Sequence, residues 1–255
     1  MRKLLTEQNE QVFLITFNNS EKHNAFDDEL LVELDHALDH ALQQPDIRII
    51  VIQANGKHFS AGADLAWMQR MANMDESDNQ ADALKFAKTL HKLYQSPKPT
   101  IALVHGATFG GGIGLIAACD IVFATEQAKF CFSEVNLGLI PAVISPYVIQ
   151  AIGARMAKAL FLSAEIFYAP QAHSMQLIHH IVPEAELRTI GFAQAKILSQ
   201  KPEQALCQAK ALVQYVQAHP IDSDIIQHTA EWIAKIRVSK EAQNALHLFL
   251  NRSAG

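Results

Sequence analysis

Glycine fills five of the nine positions from Gly106 to Gly114 in the stretch His105-Gly106-Ala107-Thr108-Phe109-Gly110-Gly111-Gly112-Ile113-Gly114, between two apolar runs. Glycines where a helix begins leave backbone N–H groups bare and open to close approach by a ligand. Such donors suit an oxygen that gains negative charge during a reaction. A second loop of small residues, Gly56-Lys57-His58-Phe59-Ser60-Ala61-Gly62-Ala63-Asp64-Leu65, follows another apolar run. Two loops from the same end of neighbouring strands can converge, so the pair predicts a two-donor oxyanion hole. Taken alone, the glycine run reads equally well as close strand–helix packing. It lacks the third spaced glycine of a dinucleotide fingerprint and the Gly-Lys-Ser/Thr of a phosphate loop.

The elements that must position these loops alternate over the first two thirds of the chain. Val12–Phe17 is rich in β-formers and stops at Asn18-Asn19-Ser20, a turn cluster. From Asp28 to Gln43, Leu30, Leu31, Leu34, Ala37, Leu38, Ala41 and Leu42 recur every three or four residues, with Asp35, His36, Asp39 and His40 opposite, so an amphipathic helix is expected. Ile47–Ile52 and Thr100–Val104 read as buried strands, each leading into one of the glycine-bearing loops. Gln80–Tyr94 reads as a helix ended by Ser96-Pro97-Lys98-Pro99. From about Glu184 helix follows helix, over 184–200, 203–217, 222–236 and 239–251, with separators short enough for a compact helical region. The expected division is thus 1–183 and 184–255.

Composition bounds the function. With 255 residues, 49% apolar and 18% charged, the chain can bury a large core. Its 21 basic and 26 acidic residues give a net charge of −5 without a basic block, against nucleic-acid binding. Cys119, Cys131 and Cys207 form neither a CxxC nor a Cys/His cluster, which points to a reducing, cytoplasmic setting. The N-terminal residues lack a signal peptide's apolar region and no apolar stretch reaches 18 residues, so neither secretion nor a membrane span is expected. The spacing of His36 and His40 lacks the glutamate of a zinc-protease motif, and Ser60, Ser133 and Ser145 lack a Gly-x-Ser-x-Gly setting. Neither a metal site nor a serine hydrolase is expected. Trp67, Met68, Met71 and Met74 form an apolar face suited to core packing or to the lid of an acyl pocket.

Ser60-Ala61-Gly62-Ala63-Asp64-Leu65, Gly110-Gly111-Gly112 before Cys119-Asp120, and Ala128-Lys129-Phe130 through Glu134 to Leu139-Ile140-Pro141 resemble the crotonase family of enoyl-CoA hydratases and isomerases. The likeness extends from Glu21-Lys22-His23-Asn24-Ala25-Phe26 to Glu241-Ala242-Gln243 and Phe249-Leu250, nearly the whole chain. It implies an α/β spiral of repeated ββα units, then a C-terminal helical region that assembles trimers or pairs of trimers. It also implies an acyl-CoA thioester substrate, with CoA arriving as part of the substrate and no separate cofactor. On the motif positions, the Ala63 and Gly111 amides would form the oxyanion hole and Glu134 would move protons. Backbone groups around Lys22, Ala61, Asp64 and Leu65 would hold the adenine end of CoA. The residue-level alternative for Glu134 is a surface carboxylate on a strand end; between Phe130-Cys131-Phe132 and Val135 it should instead have a raised pKa.

One position departs from the family pattern. Two-glutamate hydratases carry their other catalytic glutamate three residues after the oxyanion glycine, where this chain has Gly114. Asp120 is expected to be structural. A single glutamate can still serve hydration or double-bond isomerisation, and a catalytically silent acyl-CoA-binding subunit is the alternative from another class. Residues 132–146 resemble the bacterial methylglutaconyl-CoA hydratase branch of leucine breakdown, which favours hydration of a branched, carboxylated enoyl-CoA. Arg70 is a candidate partner for that distal carboxylate, although it reads more readily as a solvated helix-surface arginine.

Overall fold

The computed structural model describes residues 2–252. In chain order the regular elements are β1 (Leu4–Asn9), β2 (Val12–Phe17), α1 (Asp28–Gln43), β3 (Ile49–Ala54), α2 (Leu65–Met71), α3 (Glu76–Tyr94), β4 (Thr100–Val104), β5 (Ala107–Phe109) and α4 (Gly111–Ala117). There follow β6 (Ile121–Thr125), β7 (Lys129–Cys131), α5 (Ser145–Ser163), β8 (Phe167–Tyr168), α6 (Ala169–Ser174) and β9 (His180–Val182). The chain continues through α7 (Leu187–Ser199), α8 (Glu203–Gln217), α9 (Ser223–Arg237) and α10 (Lys240–Arg252).

The strands form two sheets: a six-stranded one in the order β1-β2-β3-β4-β6-β9 and a three-stranded one in the order β5-β7-β8. Only β1, returning over a tight turn from β2, is antiparallel in the larger sheet. The chain therefore winds: a strand in the large sheet, a strand in the small one, then a helix. The β4-β5-α4 and β6-β7-α5 segments are two such turns. An earlier turn runs β3, then Ser60, then α2 and α3, because Ser60 joins the small sheet through a parallel bridge to Thr108. This is the expected crotonase-like spiral of ββα units with a helical C-terminal region.

Apolar side chains on one face of the large sheet pack with α1, α3, α4 and α5 into the main core, around Phe17, Leu34, Ile50, Ile52, Leu90, Ile113 and Phe132. Its other face, through Val12, Leu14, Val51, Ile101, Leu103 and Phe123, is covered by Leu187 and Ala195 of α7. A sheet buried on both faces explains why these strands read as continuous apolar runs without alternation.

The sequence expectations for α1, β2 and β4 coincide with the observed spans. The third strand is displaced by two residues: Ile47 is buried, but pairing begins at Ile49, whose N–H bonds to Gln11 O. The predicted helix over 80–94 starts earlier, because the Asp75 carboxylate caps it by accepting from Asp78 N. The predicted 184–200 helix opens as a 3-10 turn at Glu184–Glu186 before α7. The three cysteines are unpaired, and burial pushes the Cys119 thiol up to about 12. No helix among the described residues is long and apolar enough to cross a membrane.

Candidate active site

The small sheet is the jig on which the site is built. Ser60 pairs with Thr108 and Thr108 with Phe130, so three successive turns of the spiral lie in register. Three residues beyond Ser60 is Ala63, three beyond Thr108 is Gly111, and four beyond Phe130 is Glu134. All three line one cavity of about 630 Å³.

At Ala63 the bare donor follows from strand geometry. Phe26 N donates to Gly62 O (2.7 Å) and Asp64 N to Phe26 O (2.8 Å). In a parallel bridge the residue between those two directs its own N–H and C=O away from that partner. The Ala63 N–H has no hydrogen-bond partner among the described residues. Gly62, at φ +93°, makes the bend that lets this happen.

The Gly111 amide is bare for a different reason. It is the first residue of α4, where an N–H has no intrahelical acceptor. Gly110 N is tied to Cys131 O at 3.0 Å, and Gly110 O accepts from Ile113 and Gly114, which leaves Gly111 N–H without a partner among the described residues. Gly110 has φ +47° and ψ −116°, and a Cβ there would lie 3.0 Å from Glu134 Oε1. Glycine at this position is what allows the carboxylate to approach the helix start.

Glu134 begins a 3-10 turn, Glu134–Leu137, and is half-buried. Its Oε2 is enclosed with no hydrogen-bond partner, and burial raises its pKa, as its apolar flanks predict. The cavity walls are mainly apolar, with Phe26, Trp67, Met68, Met71, Met74 and Phe86 on the α2–α3 side and Leu137, Leu139, Ile140, Val143 and Ile144 beyond Glu134; Asn79 and Asp82 of α3 also line it. The methionine-rich face after the first loop is thus cavity wall.

Next to Ala63 in the chain, Asp64 Oδ2 meets Lys22 Nζ at 2.8 Å while Asp64 Oδ1 caps α2 by accepting from Trp67 N. The Lys22 hydrogen bond holds the Asp64 carboxyl below its usual range. Ala61 N is fixed to His23 O, and Leu65 is exposed. The residues around the expected CoA position are therefore next to one another, with Asn24 clamping the loop through donation to Asn55 O and His58 O, both at 2.8 Å.

Gly114 is enclosed inside α4. A Cβ on it would lie 2.1 Å from Ile144 Cγ2 and 2.5 Å from Ile144 Cβ, so the room a second carboxylate would need is filled by Ile144. Arg70 does not serve as a distal anchor. It is an exposed residue paired with Asp28 at 2.8 Å, and it is not among the residues lining the cavity. Two residues escaped sequence reasoning. Ile144 lies in the stretch 132–146 with nothing in sequence to signal that it sits over Gly114, and Asp82 falls in the expected 80–94 helix with no local sign that it lines the cavity.

A larger cleft, about 1040 Å³, separates α8 from α4, α5 and α6. Its charged groups, Asp120 and Lys210, satisfy each other at 2.8 Å, and Asp120 also accepts from Thr100 N and Oγ1. This supports the structural reading of Asp120, which ties β4, the start of β6 and α8 together. Asp120→Ala should lower unfolding free energy by about 2 kcal/mol in urea melts, the loss expected for hydrogen bonds to a charged acceptor.

Comparison with known proteins agrees with the geometry. The sequence profile described as Enoyl-CoA hydratase/isomerase matches residues 7–254. A crystal structure from Legionella pneumophila, provisionally described as an enoyl CoA hydratase/isomerase (crotonase), superposes with TM-score 0.95 at 52% identity, covering 98% of this chain and 96% of that one. An enoyl-CoA hydratase from Shewanella pealeana superposes with TM-score 0.95 at 43% identity over 98% and 94%. The crotonyl-CoA hydratase of Syntrophomonas wolfei is 30% identical over 199 residues, 77% of this chain and 75% of that protein. A match over almost the full length, on a spiral that delivers two bare amides and a buried carboxylate to one cavity, places the chain in the enoyl-CoA hydratase/isomerase family, as an enzyme acting on CoA thioesters.

Proposed function

We propose that this cavity hydrates a 2-enoyl-CoA thioester, with Ala63 and Gly111 N–H as the oxyanion hole and Glu134 as the acid and base. The observation that carries the reading is the convergence of these three groups on one apolar cavity. Two fixed N–H donors on the thioester oxygen stabilise the negative charge that develops there as the enolate forms. Glu134 takes a proton from water as the water oxygen bonds to C3, and the alkene electrons move through C2 toward the thioester oxygen. The same carboxyl then returns a proton to C2, restoring the thioester. Desolvation favours this role because it brings the carboxyl's pKa closer to neutrality.

CoA's adenine end would lie against main chain around Lys22, Ala61, Asp64 and Leu65. The apolar walls suit a hydrocarbon or branched acyl chain. The carboxylate of a 3-methylglutaconyl chain would find no lysine or arginine among the lining residues, so an uncharged acyl group is the better-supported substrate. The region 184–255 would serve homotrimer or dimer-of-trimers assembly; the exposed Val213 on α8, Ile221 before α9, Ile226 and Ile233 on α9 and Val238 just after it support that part of the reading.

The filled space beside Gly114 favours one second reading, isomerisation, in which a lone Glu134 carries a proton between C2 and C4. Reaction in heavy-oxygen water separates the two. Hydration places solvent oxygen in a 3-hydroxyacyl product, and formation of a shifted double bond without oxygen uptake would overturn it.

A further inference from the structure

Among the described residues, the cavity is lined by one ionisable group besides Glu134, on its α2–α3 wall. Asp82, on α3, lines the cavity beside Trp67, Ala83 and Phe86, with its side chain 15% exposed. Its nearest cation, Lys85 Nζ, stands 4.0 Å away on a side chain that is 64% exposed, where water weakens the attraction. The other charges acting on Asp82 are Asp28 and Arg70, which pair with each other. The buried Trp67 indole N–H has no hydrogen-bond partner among the described residues, yet its influence on the carboxylate lowers the Asp82 pKa. Among the described residues no lysine, arginine or histidine lines the cavity. Burial outweighs the opposing pull of Lys85, Trp67 and Arg70 and raises the Asp82 pKa.

We propose that Asp82 is a specificity-determining residue of the acyl pocket, rejecting acyl chains that end in a carboxylate and admitting uncharged ones. The inference rests on reading this cavity as the acyl-CoA site. A second anion entering an apolar cavity loses its hydration, gains no cation and meets the field of Asp82. Such an uncompensated like-charge contact is a repulsive element of the kind that sets selectivity.

The test compares three 2-enoyl-CoA substrates of matched length, ending in methyl, carboxylate and methyl ester, on the intact protein and on Asp82→Asn and Asp82→Ala. Affinities of the three saturated acyl-CoAs are measured by calorimetry alongside kcat/KM. The wild-type protein should discriminate against the carboxylate, and both variants should narrow the carboxylate-to-ester ratio by about tenfold or more. The ester controls for size, and asparagine keeps an acceptor for the indole N–H. Equal use of carboxylate and ester by the wild type, or a ratio unmoved in both variants, would overturn the inference. Discrimination in binding without turnover of any substrate would instead sink the hydration reading and leave the role of Asp82 standing. Failure to bind any of the three would overturn both.

Discussion

Glu134→Gln should lower kcat by about 10³-fold or more while acyl-CoA affinity is retained. General acid–base catalysis by one residue is typically worth about 10²–10⁴-fold, and in the proposed hydration one carboxyl makes both proton transfers, so the loss should fall in the upper part of that range. The substitution preserves size and one acceptor, so the amides of Ala63 and Gly111 and the apolar walls remain to bind the thioester. Turnover within tenfold of wild type would remove Glu134 from the mechanism.

The same residue sets a pH signature. Burial raises its pKa above the ordinary 4.5, so the acid limb of kcat/KM should lie above the range of a free glutamate and should vanish in Glu134→Gln. The stability effect has a definite sign. A carboxyl whose folded pKa is raised contributes stability that is fully present below its unfolded pKa and is lost as pH rises through the folded one. At neutral pH the wild type therefore bears the cost of an enclosed, unpartnered Oε2. Glu134→Gln should melt at a higher temperature than wild type at neutral pH, with the gap closing as pH falls. Such a gain in stability with loss of function is the usual mark of a strained active-site group.

The second large effect is expected at Gly114. Gly114→Glu should destabilise the protein by about 3 kcal/mol or more, since overpacking a core costs about 1–3 kcal/mol and a buried carboxylate adds to that. The built Cβ overlaps Ile144 Cγ2 at 2.1 Å and Ile144 Cβ at 2.5 Å, so truncating Ile144 to alanine would not clear the overlap. Ile144→Gly would, because the remaining Cα lies at 3.4 Å. In a double-mutant cycle by denaturant melts, the pair should be coupled by at least about 1 kcal/mol, with Gly114→Glu better tolerated on the Ile144→Gly background. Gly114→Glu as stable as wild type, or strict additivity, would show that Ile144 does not hold this space. The choice between one and two carboxylates is thus made jointly by two residues thirty positions apart in sequence.

Periodicity made the amphipathic α1 and the buried β2 and β4 readable, because helix and strand repeats are local properties of residue type. It could not reveal the small sheet. Its strands are two or three residues long, and the Ser60–Thr108 bridge is a single pair, too short for any pattern to register. Yet that sheet sets the register which stacks three turns of the spiral. The reading of Glu134 as a desolvated carboxyl agrees with the structure, where burial raises its pKa and its Oε2 is enclosed. Arg70 failed as an anchor because its partner, Asp28, is remote in sequence and draws the guanidinium to the surface.

The glycine loops, the lone glutamate and the family they resemble were determined by the sequence itself. Their chemistry rests on residue types: glycine and alanine expose main chain, and a carboxyl among phenylalanines is desolvated. Tertiary structure alone decided which donors are bare, since that depends on where Phe26 and Cys131 spend their backbone partners. It alone decided that Ile144 fills the space beside Gly114 and that Asp82 shares a cavity with Glu134. Those facts are distances between segments that the chain brings together only by winding, and no local pattern encodes them.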